Sequence, residues 1–299
     1  MRMNNAMKQI ILFLSIILST APLLAYDKPA YRLFKGDGTT ADYRGMVTAL
    51  TGNNIILFGE QHGNPIAHWL EYELARDLFA LCSAGEKEFI MGGEFFDADT
   101  QHVINEFLQG HISSRSFEQE ARPWSNYRRD YRPLLEFAGT GNIPFIATNV
   151  PKRYASMVFN KGLDSLNGLS QSAKKFIAPL PVEYDPSLKS YRDIQSRIPS
   201  HVPGHSTGNL AAAQAIRDAT MAHFIITNLK SGGLFFHING SYHSINREGI
   251  IWHLLRQKNG LRIGTIATVS QKDVTQLREE SKGIADYILA VPASMPAGQ

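Results

Sequence analysis

The chain has a single cysteine, Cys82, among its 299 residues. One cysteine excludes a disulfide within the chain and a metal site built mainly from thiolates. Lysine and arginine together exceed aspartate and glutamate by only 3, and no long basic run occurs, so the composition does not indicate a nucleic-acid partner. The remaining composition, 43% hydrophobic and 19% charged, is typical of a globular protein with one large domain or two smaller ones.

Residues 1–25 have the pattern of a secretory signal peptide. Arg2 and Lys8 precede the apolar stretch Ile10–Leu18, and we expect cleavage after Ala25. This stretch is too short for a membrane span, and no cysteine follows it that could carry a lipid. An uncleaved anchor is the alternative. The sequence therefore predicts a soluble protein that is secreted across the inner membrane, into a bacterial periplasm or beyond.

Four short apolar stretches each end in polar residues, as strands of a parallel sheet do at an active-site edge. The first is Asn54–Gly59, which Glu60 and His62 follow directly. In one parallel sheet such ends lie along the same edge, where α/β proteins bind ligands. The other three are Glu88–Phe96, which stops at glycines before Glu94, Ile143–Val150 with Asn149, and Leu234–Ser241 with Asn239 and then His243.

Helical patterns separate these strands. From Pro65 onward apolar residues recur at three and four, and Asn64 is suited to cap that helix. Leu210–Leu229 is the clearest helix, and Arg262–Val269 and Ala285–Val291 are two more strand candidates. The sequence thus predicts an α/β fold, with a mainly parallel sheet flanked by helices and a small helical domain. We expect the α/β core at about 44–96, 143–151 and 210–292, and helical insertions at about 97–140 and 152–208.

The acids and histidines at the strand ends suggest chemistry. If His62 continues the extended conformation, Glu60 and His62 project to the same side. Together with Glu94 and His243 they would bind a divalent metal ion, or act as base and acid in a metal-dependent hydrolase. The alternative is a hydrogen-bonded network that only sets the geometry of the loops.

Six motifs occur in order along the chain: Gly59–His62, Gly92–Phe96, Tyr127–Ala138, Asn149–Pro151, Ala212–Ala222 and Ile238–His243. Together they resemble the ChaN-like haem-binding uptake proteins, and the resemblance would make 26–299 a ChaN-like domain. It implies haem binding in bacterial iron acquisition, a tyrosine ligand for iron, haems stacked between two subunits, and contact with outer-membrane haem uptake machinery. The wider superfamily includes TIKI and erythromycin-esterase proteins, some of them hydrolases with an early Glu-x-His, a second Glu and a late His. Many relatives are lipoproteins, whereas this chain lacks the necessary cysteine.

Haem requires an axial ligand, an apolar surface and cations for its propionates. The candidate tyrosine ligands are Tyr131, Tyr242, Tyr184 and Tyr191. The alternative for the segment around Tyr131 is a solvated amphipathic helix, and each tyrosine could simply be a packing residue. His237 is expected to be a core histidine. The other candidate contacts with haem are Tyr127, Arg128, Arg129, Arg132, Asn149, Arg217 and His243, with Phe95, Phe96 and Trp124 as flat apolar surfaces. His201 and His205 lie in a loop rich in Pro, Gly and Ser, where a histidine can close over a ligand but solvent exposure is the default.

Overall fold

The computed structural model describes residues 28–196, 208–296 and 298. The predicted signal peptide, residues 1–25, lies outside the described residues, as do His201 and His205. Within the described ranges, none of the helices combines the length and apolar character that crossing a bilayer requires.

A seven-stranded sheet forms the centre of the molecule, in the order β1-β7-β6-β2-β5-β3-β4. Strand β1 is antiparallel to β7, and the other neighbouring strands are parallel. The predicted α/β class and mainly parallel sheet are confirmed. The strands are β1 Arg32–Lys35, β2 Ile55–Glu60, β3 Phe89–Asp97, β4 Phe145–Asn149, β5 Leu234–Gly240, β6 Ile263–Gln271 and β7 Tyr287–Pro292.

Helices connect the strands and cover both faces of the sheet. The α-helices are α1 Tyr43–Leu50, α2 Pro65–Ala84, α3 Gln101–Leu108, α4 Ser114–Ala121, α5 Tyr127–Asp130, α6 Arg132–Thr140, α7 Lys152–Lys161, α8 Gln171–Lys174, α9 Lys189–Ser196, α10 Gly208–Asn228 and α11 Ile250–Gln257. Short 3₁₀ helices occur at Ala98–Thr100, Leu163–Gly168, Ser241–His243, Ile245–Arg247 and Glu279–Ser281.

Strand β2 shows why the sheet is covered on both faces. All six of its residues are buried, and alternate side chains point to opposite faces of the strand. Ile56 and Phe58 belong to the core under α1, α2 and α6, whereas Ile55 and Leu57 belong to the core under α10 and α11. A third core joins α7 and the loops after it to the first half of α10. The segment 152–196 consists of helices and loops, within the helical insertion expected at about 152–208.

Two features of the sheet differ from the predictions. Strand β1 was missed, because it is only four residues long and pairs at the sheet edge. Strand β3 does not stop at its glycines but continues to Asp97. A Cβ at Gly92 would lie 2.9 Å from the carbonyl of Ile146, and one at Gly93 would overlap the ring of Phe95. These glycines permit close packing, and the register with β4 shifts only after Gly93, so Glu94 lies in an irregular part of β3.

Candidate functional site

The turn between β2 and α2 places the first site residues. The side-chain oxygen of Asn64 accepts hydrogen bonds from the N–H groups of Ile66 and Ala67, both at 3.1 Å. Pro65 is the first residue of α2, where its missing N–H costs nothing. The predicted helix cap is confirmed, and it fixes the turn that carries His62.

Glu60 and His62 form a pair at the carboxyl end of β2. The Nδ1 atom of His62 lies 2.5 Å from Oε1 of Glu60, and the Tyr131 hydroxyl donates to the same oxygen at 2.6 Å. The side chain of His62 is 49% exposed, whereas that of Glu60 is 1% exposed. Burial opposes ionisation of Glu60, but the hydrogen bond with His62 and the nearby imidazole of His68 outweigh it and lower the pKa of Glu60 to about 2. Burial likewise opposes protonation of His62, but Glu60 raises its pKa.

A second group joins β3, β5 and α10. Oε2 of Glu94 accepts a hydrogen bond from the N–H of Gly240 at 2.7 Å. Nε2 of His243 lies 3.2 Å from Oε1 of Glu94, and its Nδ1 lies 2.5 Å from Oδ1 of Asp218. The Tyr191 hydroxyl donates to the other oxygen of Asp218 at 2.9 Å. Burial would lower the pKa of His243, but the two carboxylates outweigh it and raise this pKa to about 10.

Gly240 brings the two groups together. A Cβ at this position would lie 2.9 Å from Nε2 of His62 and 3.4 Å from Oε2 of Glu94, so both side chains approach the same backbone atom. A cavity of about 580 Å³ opens beside them. Its lining includes Glu60, His62, Lys189, Gly240, Tyr242, Ile245, Val269, Arg278 and Ile284. The four acids and histidines that the sequence singled out thus share one edge of the sheet.

The candidate tyrosines are placed differently from one another. Tyr131 and Tyr191 are fully buried, and their hydroxyl groups bind carboxylates. Tyr127 packs in the core against Phe96 and Phe117. Tyr184 packs its ring against that of Tyr191. Only Tyr242, of these described tyrosines, lines the cavity, where it is half-buried.

The arginines expected to bind propionates lie elsewhere. Arg128 pairs with Glu118, Arg132 with Glu136 and Arg129 with Asp130. None of the three lines the cavity. Arg128 pairs with an acid of α4 and Arg132 with an acid of its own helix α6, both at the surface, which is the pattern of the solvated amphipathic helix given above as the alternative.

The remaining candidates lie behind Glu94. Asn149 donates from its side-chain amide to the carbonyl of Glu94 at 2.9 Å, and Arg217 approaches the Asn149 side-chain oxygen at 3.4 Å. His237 is completely buried and bonded to Thr148, and burial lowers its pKa to about 4. The prediction of a core histidine is confirmed, and these residues support the site from inside the sheet.

Sequence reasoning missed several residues of the site. His68 and Glu71 lie on the buried side of α2, where polar residues within an apolar stripe were the available signal. Asp218 on α10 directly follows Arg217 in the sequence, and no role was predicted for it. Gln214, one turn earlier on that helix, also contacts the ring of His243 at 2.9 Å. All four are on helices, whereas the prediction used strand ends.

Comparisons with known proteins agree with this fold. A family model described as haem-binding uptake, Tiki superfamily, ChaN matches residues 46–254. The structure of ChaN from Campylobacter jejuni with cofacial haem has a TM-score of 0.67 at 14% identity, over 87% of this chain and 96% of that one. An erythromycin esterase in its open conformation has a TM-score of 0.50 at 10% identity, over 91% and 99%. At such identities these structures show similarity of fold alone.

One curated relative is the chloroplastic protein RETICULATA-RELATED 5 of Arabidopsis thaliana. It is 25% identical over 171 residues, which are 55% of this chain and 23% of the relative. The chain therefore spans about a quarter of the length of this plant protein.

Proposed function

Because the chain belongs to the ChaN family of haem-binding uptake proteins, whose model matches residues 46–254, we propose that it binds haem in bacterial iron acquisition. The observation that carries this proposal is the cavity of about 580 Å³ that opens at the carboxyl edge of the sheet beside Tyr242 and the half-exposed imidazole of His62. Phenol oxygen and imidazole nitrogen are both axial ligands of haem iron in proteins. Haem would then be the form in which the chain binds and carries iron.

The lining of the cavity fits a flat apolar ring with two carboxylates. Ile245, Val269 and Ile284 offer apolar contact, while Lys189 and Arg278 offer cations for the propionates. Lys189 pairs with Asp193 and Arg278 with Glu280, and both cation side chains are at least half exposed. Exposed ion pairs contribute little to stability, so these cations can exchange a surface carboxylate for a propionate.

Tyr242 is the proposed iron ligand, with His62 beside it. The hydroxyl groups of Tyr131 and Tyr191 are buried against carboxylates, so they offer no access to a ligand in the cavity. His62 is oriented by the bond from its Nδ1 to Glu60, which leaves Nε2 beside Gly240 at the cavity. A carboxylate behind an imidazole is the arrangement that orients histidine ligands of metals.

Haem titration followed by absorbance tests this proposal. We expect a saturable Soret shift for the wild-type chain, and for Tyr242→Phe an altered spectrum with affinity at least about tenfold weaker, the scale of losing a supporting ligand. Tyr43→Phe is the matched control, because the Tyr43 hydroxyl binds Asp77 and does not line the cavity. Absence of a saturable shift in the wild-type would overturn haem binding. Unchanged binding in both Tyr242→Phe and His62→Ala would overturn this location.

Assembly and delivery follow as parts of the same proposal. We propose that two copies come together around haem, by analogy with the cofacial haem of the Campylobacter jejuni protein. The chain would act in the periplasm and exchange haem with outer-membrane uptake machinery. Size-exclusion chromatography with and without haem tests the first point, since a haem-dependent doubling of mass is expected and an unchanged monomer contradicts it.

A metal-dependent hydrolase is the second candidate function, favoured by the approach of His62 and Glu94 to Gly240. Bonds from His243 and Gly240 keep the pKa of Glu94 well below its usual range despite burial, so its carboxylate stays charged. A charged carboxylate beside an oriented imidazole suits general base catalysis. Metal-dependent cleavage of a chromogenic ester that is lost in Glu94→Gln would support this function. Lack of cleavage by the wild-type chain with added divalent metals would count against it.

A further inference from the structure

A second cluster of metal-binding side chains lies beneath the strand-end site. Glu60, His68 and Glu71 each place a ligand atom within 4.8 Å of the other two. Nδ1 of His68 lies 3.2 Å from Oε2 of Glu60 and 3.1 Å from Oε2 of Glu71. All three side chains are buried, at 1%, 5% and 0% exposure. The cluster joins the end of β2 to the first turns of α2.

Two oxygens of this cluster have no hydrogen-bond partner within the described part of the chain. They are Oε2 of Glu60 and Oε1 of Glu71, both fully shielded from solvent. Oε2 of Glu60 is near Nδ1 of His68, but the direction is wrong for a hydrogen bond. Burying a carboxylate oxygen without a partner is unfavourable in free energy, so a bound cation would stabilise this arrangement.

We propose that Glu60, His68 and Glu71 bind a first-row divalent metal ion, with zinc as the representative. Zinc binds imidazole nitrogen and carboxylate oxygen at about 2.0–2.2 Å, which leaves neighbouring ligand atoms about 3 Å apart or slightly more. The separations of 3.1 and 3.2 Å around His68 match that spacing. Two carboxylates balance the charge of a divalent ion, and the imidazole favours zinc or iron over magnesium or calcium.

The surroundings of the cluster orient its ligands. The Tyr131 hydroxyl donates to Oε1 of Glu60, which leaves Oε2 for the ion. Oδ2 of Asp130 lies 3.4 Å from Nε2 of His68. When Nδ1 binds the metal, Nε2 carries the proton and can donate a hydrogen bond to this carboxylate oxygen. The N–H of Gly63 also points at Nε2, at 3.2 Å, so metal binding requires the imidazole to turn slightly toward Asp130.

This ligand set differs from the one the sequence suggested. It shares Glu60 with the group of His62, Glu94 and His243 but takes its other ligands from α2. One oxygen of Glu60 faces His62 and the other faces His68. An ion here would therefore hold Glu60, and through it His62, in a fixed orientation. The proposal does not depend on haem binding, because its readout is metal content and metal-dependent stability.

Metal analysis of the chain purified without a histidine tag tests the proposal. We expect about one zinc or iron per chain, and after chelation a rise in melting temperature on adding micromolar Zn²⁺. Glu71→Gln and His68→Gln should each weaken Zn²⁺ binding at least about tenfold. Glu73→Gln is the matched control, since Glu73 lies on the more exposed side of the same helix, near Arg76.

Three results would overturn the proposal. A wild-type chain that neither retains metal nor responds to Zn²⁺ would mean that protons alone neutralise the cluster. Zn²⁺ binding that survives both Glu71→Gln and His68→Gln would exclude these ligands. Zn²⁺ binding lost in Glu94→Gln but kept in Glu71→Gln would place the ion at the strand ends instead. If either α2 variant fails to fold, the visible spectra of Co²⁺ in the wild-type chain and in Glu94→Gln still decide. Nitrogen and oxygen ligation intensifies the weak visible bands of free Co²⁺, and only an ion at the strand ends would lose that signal in Glu94→Gln.

Discussion

His243 is a histidine held between two acids, and its charge is part of the site. Glu94 lies at its Nε2 and Asp218 at its Nδ1, so both nitrogens act as donors when the ring is protonated. The positive charge balances two buried carboxylates that would otherwise repel each other. His243 therefore keeps Glu94 ionised beside the cavity, whichever ligand the cavity accepts.

The pKa of His243 leads to a prediction about stability. This pKa is about 10 in the folded chain and about 6.5 when the ring is solvated, so protonation stabilises the fold fully below pH 6.5. That stabilisation declines as the pH rises toward 10, by up to about 1.4 kcal/mol per pH unit. Asp218→Asn should lower the pKa of His243, so its free energy of unfolding should fall less between pH 6 and pH 9.5 than that of the wild-type chain. Urea unfolding at pH 6, 8 and 9.5 measures this difference.

The control for this measurement is Asp193→Asn, which removes an exposed partner of Lys189 and should leave the pH dependence unchanged. An identical pH dependence in Asp218→Asn and the wild-type would show that Asp218 does not hold the proton on His243.

Among individual residues, the sequence predicted those at the strand ends better than their partners. Glu60 ends a buried strand, Glu94 lies in the irregular last part of another, and His62 and His243 follow strands. Parallel strands bring such residues to one edge of the sheet. His68 and Asp218 lie within helices, so their partners depend on helix rotation and packing. Such contacts cannot be read from local periodicity. The burial of Tyr131 could not be predicted either, because it also depends on how the helices pack.

At the scale of elements, β5 matters because its last residue, Gly240, has no side chain. Its backbone N–H holds Glu94, and its open side admits the imidazole of His62. The φ of Gly240 is −57°, which any residue can adopt, so the requirement here is space rather than backbone freedom. The same holds for Gly92 and Gly93 in β3, and it explains why reading those glycines as strand breakers was wrong.

Gly240→Ala should therefore damage the site more than the fold. The added methyl group would stand 2.9 Å from Nε2 of His62 and displace that ring. We expect haem affinity to fall at least about tenfold, the scale of losing a supporting group, while the melting temperature changes little. Gly168→Ala is the control, because a Cβ there meets no atom within 4 Å. Equal haem affinity for Gly240→Ala and the wild-type would show that ligand binding does not depend on the placement of His62.

For the complete fold, the sequence predicted the layers but not the order of the strands in the sheet. Apolar runs and helical periods indicated a parallel sheet with helices on both faces, and the structure has both. Neither pattern indicates which strands are neighbours, because every buried strand presents similar apolar faces. The antiparallel β1 escaped detection because four residues give too little alternation to measure.

Strand β1 nevertheless belongs to the cooperative fold. Phe34 is 2% exposed and packs with Ile288 and Ala290 of β7. Phe34→Ala should lower the free energy of unfolding by about 3–5 kcal/mol, measured by urea denaturation. Lys35→Ala, at an exposed position of the same strand, should change it by no more than about 0.5 kcal/mol. A loss below about 1 kcal/mol for Phe34→Ala would indicate that β1 frays independently of the sheet.

The position of β5 between β2 and β3 has a consequence for how the chain matures. Glu60 and Glu94 are only 34 positions apart in the sequence, yet the strand between them begins at Leu234. A growing chain that has reached β4 still lacks β5, the strand between β2 and β3, and it lacks both Gly240 and His243. Contacts of such long sequence separation form late and slowly. The strand-end site can therefore form only after β5 and the residues up to His243 have been made, and shorter chains lack it.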